Sequence, residues 1–370
     1  MKILIVGGGV IGCATALELA KAGCAVTVLE RATPGAEASG AAAGILTPLG
    51  ESADTAMAKL ALESWRRYPG VVRELRERTG IDVEYVTRGT VYPLITVADV
   101  RAAEARLRHD WAAEIGVEAW DAADVRSRAP ALATTVRGAM FVRGEHWVDN
   151  QRLVVAYAQA AVDAGVALMT GAAVSRVVVE DGHARGAIVD GEPYEADAVL
   201  LAAGAWTGEL AASFGGRLRV EPRKGQMIAL NHVPPVLAHA IHGPDVYLIP
   251  RASGELLIGA TVEKVGFQRG VTAAGISGLL TSAIALVPGL APLPISRTWA
   301  GFRPWAPDSL PILGPWPGID GLFVATAHYR NGILLAPITA QLMAEWMTHG
   351  SPSLDVKDFL PSRFIRDRRT

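Results

Sequence analysis

The apolar run Ile3-Leu4-Ile5-Val6 leads directly into Gly7-Gly8-Gly9-Val10-Ile11-Gly12, and few features narrow a fold as much. Four consecutive aliphatic residues suit a strand buried on both faces. Residues 10–22 follow with helix-forming Ala, Leu, Glu and Lys, and Gly23 stands where a helix end favours positive φ. A second apolar run, 25–29, closes on Glu30. Strand, turn, helix, strand is a βαβ unit, and its crossover makes the two strands parallel. The spacing Gly7-x-Gly9-x-x-Gly12 gives each glycine a task. Gly7 permits the tight turn, Gly9 lets backbone approach a pyrophosphate, and Gly12 lets helix and sheet pack closely. The helix N-terminus offers N–H groups and a positive dipole end to phosphate. Glu30, 18 residues after Gly12, can accept from both ribose hydroxyls and would repel the 2′-phosphate of NADP. The motif alone does not separate NAD from FAD.

The 370 residues allow two or three domains at roughly 100–200 residues each. Half are hydrophobic and 19% are charged, which excludes a disordered chain. A net charge of −2 gives no field to gather nucleic acid or an anionic membrane; the Arg-rich end, 363–369, reads as a solvated tail. Cys13 and Cys24 are the only cysteines and flank one helix, so a disulfide scaffold and a Cys-rich metal site are excluded. The eight histidines are scattered without ligand spacing, and no Gly-x-Ser-x-Gly elbow exists. No metal is therefore expected. The N-terminus lacks signal-peptide character and no uncharged apolar stretch reaches a membrane-spanning length, so the expected location is the cytoplasm.

Beyond the βαβ unit, 34–44 is almost entirely small residues, able to let backbone reach a large ligand. Helical texture occupies 55–78 with a break expected at Pro69-Gly70. Strands are expected over 83–93 and an amphipathic helix over 97–115. Asp149 is placed to cap a helix over 151–164. Short strands follow at 167–170, 174–180, 187–189 and 198–203, and 224–261 is strand-rich. Helix is expected over 275–287, loop over 299–314 with its three prolines, a strand over 321–326 and a final helix over 332–348. The pattern is an α/β domain led by βαβ, with antiparallel β-rich insertions.

Seven stretches extend the reading: Ile5 to Gly12, Glu37 to Leu46, Ala202-Ala203-Gly204-Ala205-Trp206, Tyr247-Leu248-Ile249-Pro250-Arg251, Gly259-Ala260-Thr261, Trp299-Ala300-Gly301-Phe302-Arg303-Pro304, and His328 to Pro337. On these the chain resembles, almost end to end, the FAD-dependent amino acid oxidase family of D-amino acid oxidase and sarcosine oxidase, and is most similar to its glycine-oxidase branch. The resemblance implies a Rossmann-like FAD-binding domain (1–82, 145–218 and 298–370) and a discontinuous antiparallel-β substrate domain (83–144 and 219–297), with the active site at their junction. It implies that Gly7, Gly9, Val10, Ile11 and Gly12 meet the pyrophosphate, that Glu30 and Arg31 hold the adenosine ribose, and that Val174 meets the adenine. Ala38, Ser39, Ala43, Gly44 and Ile45 would line the other half of the cofactor, with Gly204 close by. His328, Tyr329, Arg330, Asn331, Gly332, Ile333 and Leu334 would run beside the flavin ring, N–H groups near Gly332 facing its O2 edge.

Tyr247, from the β-rich insert, and Arg303, from the FAD domain, match the family's substrate-carboxylate clamp, and Arg330 a residue over the flavin face. The chemistry suits them, because guanidinium is a fixed two-pronged donor to carboxylate. Taken alone, Arg303 reads first as a surface or structural arginine, and the plain alternative for Tyr247 is a core tyrosine. Some positions depart from the family. Val262 stands where a larger Met is expected, Asp245 replaces a His or aromatic residue, and Ala327 and Ala340 replace glycines; Gly50 and Glu51 fall on the loop expected to gate the site. The implied reaction is hydride transfer from Cα to flavin N5, giving an imine and then a 2-oxo acid, ammonia and hydrogen peroxide. No side chain is assigned as acid or base. FAD is expected to be non-covalent, because no cysteine follows residue 24. The implied substrate is glycine or a related small amine bearing a carboxylate, with oxygen as acceptor and a role in thiamine thiazole synthesis. Alternatives are a larger N-carboxymethyl amine, a D-amino acid, or a dehydrogenase subunit with another acceptor. A tRNA-modifying module would need a basic surface that the charge balance lacks, and a non-catalytic redox sensor would not need the Tyr247–Arg303 pair. A homo-oligomer, possible as a tetramer, is expected from the resemblance alone.

Overall fold

The structure, a computed structural model, describes residues 1–48, 55–96, 98–101, 103, 111–231 and 236–364. Strands β1 (Lys2–Val6) and β2 (Ala25–Glu30) flank α1 (Val10–Lys21), and they pair in parallel from Lys2↔Ala25 to Val6↔Leu29. With β8 (Ala167–Thr170), β12 (Ala198–Leu201), β18 (Ile312–Pro315) and β19 (Leu322–Thr326), they form a six-stranded sheet in the order β18-β19-β12-β1-β2-β8. Only the β18–β19 pair is antiparallel. The central strands are buried from Ile3 to Val6 and from Ala198 to Leu201, as their unbroken apolar runs require. One face packs on α1, the helix Asn150–Asp163 and the C-terminal helix Gly332–His349; the other packs on the three-stranded meander β9 (Val174–Glu180), β10 (His183–Val189) and β11 (Glu192–Glu195).

A second sheet of eight strands has the order β17-β13-β16-β15-β14-β4-β6-β5. Its strands are β4 (Thr90–Leu94), β5 (Val117–Trp120), β6 (Gly138–Val142), β13 (Glu221–Asn231), β14 (Ala240–His242), β15 (Tyr247–Pro250), β16 (Glu255–Gly259) and β17 (Ile295–Trp305). The helix Ala273–Leu286 covers one face, through Leu279, Ala283 and Leu286. A short pair, β3 (Ile45–Leu46) and β7 (His146–Trp147), lies between the two sheets' segments.

Two sequence expectations about local structure are corrected. The stretch 299–314 is loop only over 306–311: residues 299–305 belong to β17, which pairs with β13 from Glu221↔Trp305 to Leu230↔Ile295, and 312–314 belong to β18. Pro222 and Pro304 face each other in that ladder, which an antiparallel pair tolerates where neither residue has to donate. Strand β17 runs through residues 297 and 298, and Arg303 belongs to the same sheet as Tyr247. Pro69 does not break the helix, which runs continuously as α3 (Ala56–Thr79). Buried Ser64, Tyr68 and Leu75 hold it against its neighbours on both sides of the proline. Asp149 caps its helix as expected, accepting from Gln151 and Arg152 N–H.

Candidate active site

A cavity of about 1670 Å³ lies at the carboxyl ends of β1, β2, β12 and β19 and reaches the eight-stranded sheet. Drug-sized ligands fill pockets of roughly 300–1,000 Å³, so a dinucleotide and a small substrate fit together here.

The nucleotide end is built by the glycine turn. Gly7 has φ +113°, and a Cβ there would stand 2.5 Å from the Ala202 carbonyl oxygen. A Cβ on Gly12 would collide with the Gly7 carbonyl, so Gly12 serves helix packing and does not line the cavity. Gly7, Gly9, Val10 and Ile11 do line it. Ser39 Oγ accepts from Val10 N–H at 3.0 Å, joining the small-residue segment to the first turn of α1. Glu30 is 8% exposed. Its Oε2 accepts from Gly8 N–H at 2.7 Å and its Oε1 from Ala32 N–H at 2.8 Å. These bonds fix the carboxylate at the cavity edge, with lone pairs left for a further donor. Arg31 stacks on Trp206 (3.8 Å to the ring centroid) and pairs with Glu37 at 2.6 Å. Ala38, Ala43, Gly44, Ile45, Val174 and Gly204 also line the wall.

The opposite end is formed by the segment entering the C-terminal helix. Ala327 (φ +59°) and Tyr329 (φ +49°) flank buried His328. His328 Nε2 lies 3.0 Å from Thr339 Oγ1, and burial pushes the imidazole down to about 3, so it is neutral. Tyr329 N–H donates to the Pro304 carbonyl at 3.0 Å. Tyr329, Arg330, Asn331, Gly332 and Ile333 line the cavity, so the helix N-terminus, whose first N–H groups have no intrahelical partner, borders it. Leu334 does not reach the cavity; it is buried in the core.

Tyr247 (β15) and Arg303 (β17) close the third side. Tyr247 Oη donates to Met227 Sδ at 3.2 Å. Its phenol pKa is raised by burial, which outweighs the downward pull of Arg303, Arg330 and Arg251, so the hydroxyl keeps its proton as a donor. Arg303 crosses Gly225 and donates through Nη1 to the Thr261 carbonyl at 3.0 Å. Val262 and Asp245 line the mouth, and Val262 is 46% exposed. Gly50 and Glu51 lie outside the described residues.

Sequence reasoning passed over Met227, Thr261 and Gly225. A glycine inside a strand signals a close approach, and Lys224-Gly225-Gln226 carried that signal. Cys13 is buried, its thiol pushed up to about 12 by burial and then by Glu30, and neither cysteine is paired. Among the described residues, no helix is long and apolar enough to cross a membrane.

Comparison with known proteins agrees with this fold. The family model described as "FAD dependent oxidoreductase" matches residues 2–346. The glycine oxidase of Geobacillus kaustophilus is 36% identical over 98% of this chain and 97% of its own. A crystal structure of glycine oxidase from that organism superposes with a TM-score of 0.92 over 98% of each chain. Iminodiacetate oxidase from Chelativorans sp. BNC1 is 28% identical with a TM-score of 0.87, over 97% of this chain and 98% of its own. A bifunctional ThiO/ThiG protein of Synechocystis is 38% identical over 98% of this chain, matched over 54% of its own length.

Proposed function

This chain belongs to the family of FAD-dependent oxidoreductases that oxidise amines and amino acids, and from that premise we propose that its substrate is glycine or a related small amine bearing a carboxylate. The observation that carries the proposal is the convergence of Tyr247, Arg303 and Arg330 on one cavity that also takes the glycine turn and the C-terminal helix N-terminus. Oxygen as acceptor completes the reaction: glycine, oxygen and water give glyoxylate, ammonia and hydrogen peroxide.

The six-stranded sheet and its helices are the proposed FAD-binding part, and the eight-stranded sheet the substrate part. FAD, when bound, supplies the acceptor for two electrons from the substrate Cα–H bond. The protein's own groups position it. Backbone N–H groups of the α1 turn suit the pyrophosphate, Glu30 the ribose, and the N–H groups around Gly332 a developing negative charge on the ring edge. Arg303 and the protonated Tyr247 hydroxyl hold the substrate carboxylate, so the amine and Cα are oriented without an acid or base. His328, neutral and bonded to Thr339, shapes the ring wall and moves no proton. Burial of the Tyr247 hydroxyl supports a clamp that keeps its donor through the neutral and mildly alkaline range.

A second reading follows from Val262, small and half exposed at the cavity mouth. It favours a larger N-carboxymethyl amine, and the likeness to iminodiacetate oxidase supports it. A place in thiamine biosynthesis is supported by the match to one half of a bifunctional ThiO/ThiG protein. A cytoplasmic location and a homo-oligomer belong to the same proposal.

The test is anaerobic addition of glycine to the yellow holoenzyme, followed by air and a peroxide assay. Bleaching followed by peroxide supports a glycine oxidase. No bleaching with glycine but bleaching with an N-carboxymethyl amine transfers the proposal to the second reading. Bleaching without peroxide makes the enzyme a dehydrogenase.

A further inference from the structure

Lys224 is 2% exposed, on the strand beside Arg303. An isolated buried ammonium is costly unless it is paired and hydrogen-bonded. Here Nζ lies 3.2 Å from Glu263 Oε2 and donates to the Gly270 carbonyl at 2.8 Å. The backbones of Lys224 and Glu263 exchange two bonds, at 3.0 and 2.9 Å. Glu263 Oε1 accepts from Gln226 Nε2 at 2.6 Å and from Thr261 Oγ1 at 2.5 Å. Thr261 Oγ1 in turn accepts from Gln226 N–H at 2.9 Å. Both faces of Thr261 are thus engaged: its side chain by Glu263 and Gln226, its carbonyl by Arg303 at 3.0 Å. The carboxylate gathers three donors (hydroxyl, amide and ammonium), an arrangement only an ionised Glu263 satisfies in full. Burial raises its pKa, and the bonds from Thr261, Gln226 and Lys224 together pull it lower still, so the net shift is downward.

We infer that Glu263, with Lys224, is a positioning residue for the Arg303 guanidinium: it fixes the Thr261 carbonyl on which Arg303 docks, and so sets where a substrate carboxylate is gripped. Arg303 has five N–H donors in a rigid plane. Docking one of them on a fixed carbonyl orients the fork, and a plane held on one side loses less freedom when a carboxylate arrives. This inference rests on Arg303 being the clamp.

The experiment uses the FAD-loaded enzyme and compares Glu263→Gln and Lys224→Met with Arg303→Lys. The readouts are KM and kcat for a carboxylate-bearing amine, and the Kd of a small carboxylate such as acetate, read from the flavin spectrum. Glu263→Gln is expected to raise KM and the acetate Kd about tenfold to a hundredfold, the range a displaced contact produces, while kcat at saturation stays within a few-fold. An amine of the same size without a carboxylate, measured in parallel, is expected to lose nothing. Lys224→Met is expected to move the same quantities in the same direction, and Glu263→Asp to restore part of the loss. If Glu263→Gln folds and holds FAD but keeps the parent acetate Kd, the inference is overturned. Equal losses with and without the substrate carboxylate overturn it too, since they reveal a structural role only. If Glu263→Gln does not fold, Lys224→Met and Glu263→Asp decide by the same criteria. Should Arg303→Lys itself leave acetate binding unchanged, the clamp reading fails first, and that outcome is separate from a loss confined to Arg303→Lys, which overturns the positioning role alone.

Discussion

At the scale of single residues, the site depends on close approaches and on groups held in one protonation state. Arg303 crosses β13 where Gly225 has no side chain; a Cβ there would stand 2.6 Å from Nη2 and 2.7 Å from the guanidinium carbon. Gly225→Ala is therefore expected to push the guanidinium off its seat, raising KM for a carboxylate-bearing amine by about tenfold or more. FAD content is expected to be retained, because Gly225 lies away from the nucleotide end. Kinetics beside a flavin absorbance ratio check both halves. His328 gives a pH prediction. Its folded pKa, about 3, lies below the unfolded value of 6.5, because burial disfavours the cation. A depressed base binds its proton in the unfolded state first, so its stabilising contribution is full above pH 6.5 and is lost as pH falls toward 3. His146, pushed down to about 4 by burial, acts in the same direction over part of that window. Each contributes up to one proton of slope, ~1.4 kcal/mol per pH unit. Urea midpoints between pH 7 and 4 should flatten in His328→Gln relative to the parent; an unchanged slope would mean the imidazole is not buried as described.

At the scale of elements, two helices with internal prolines support one another. In the C-terminal helix, Pro337 has no N–H for the Ile333 carbonyl four residues earlier. Tyr68 Oη, from α3, donates to that carbonyl instead. Ser64 Oγ donates to the Leu334 carbonyl at 2.6 Å and lies 3.4 Å from Ile338 N–H. So α3 repairs the first turn of the helix whose N-terminus lines the cavity. Tyr68→Phe is expected to cost about 1–3 kcal/mol, since it strands a buried carbonyl, and to weaken FAD binding because Gly332 and Ile333 sit on that turn. Pro337→Ala supplies the missing N–H and should recover part of the loss in the double variant. A thermodynamic cycle from urea melts would read this as a coupling of about 1 kcal/mol, whereas strict additivity of the two changes would remove the explanation. Such pairing is invisible to local reading. The chain shows a proline in each helix, and nothing in the sequence says that a tyrosine 265 residues before Ile333 caps the carbonyl that Pro337 leaves without a donor.

At the scale of the whole molecule, what could be read in advance follows the range of the forces involved. The βαβ unit was legible because strand, turn, helix and acidic end lie within thirty residues, and each glycine answers a local need. The site residues from distant stretches came from resemblance, and the cavity brings all of them together except Gly12, Leu334 and the undescribed Gly50 and Glu51. The end of β17 reads as loop because local rules penalise Pro304 and the prolines at 307 and 311 that follow it, while its ladder with β13 is a long-range fact. The same long-range assembly leads to a final prediction. Cross-ties join the two sheets' segments around the cavity: Trp299 Nε1 donates to the Ala41 carbonyl at 3.0 Å, Arg251 reaches the Ala43 carbonyl and Asn150 Oδ1 at 3.0 Å each, and Arg269 pairs with Glu37 at 2.7 Å. Each tie ends on or beside the small-residue segment that would wrap the cofactor. Binding FAD should thus stabilise both sheets as one cooperative body. At free FAD one hundred times its Kd the gain is ~2.7 kcal/mol, so the melting temperature should rise with FAD concentration in a single transition. Hydrogen exchange should slow together in residues 30–46, 328–333 and 247–262. Protection confined to 1–46 would mean that only the glycine turn and its helix hold the cofactor, and that the C-terminal turn and β15–β16 do not share in binding it.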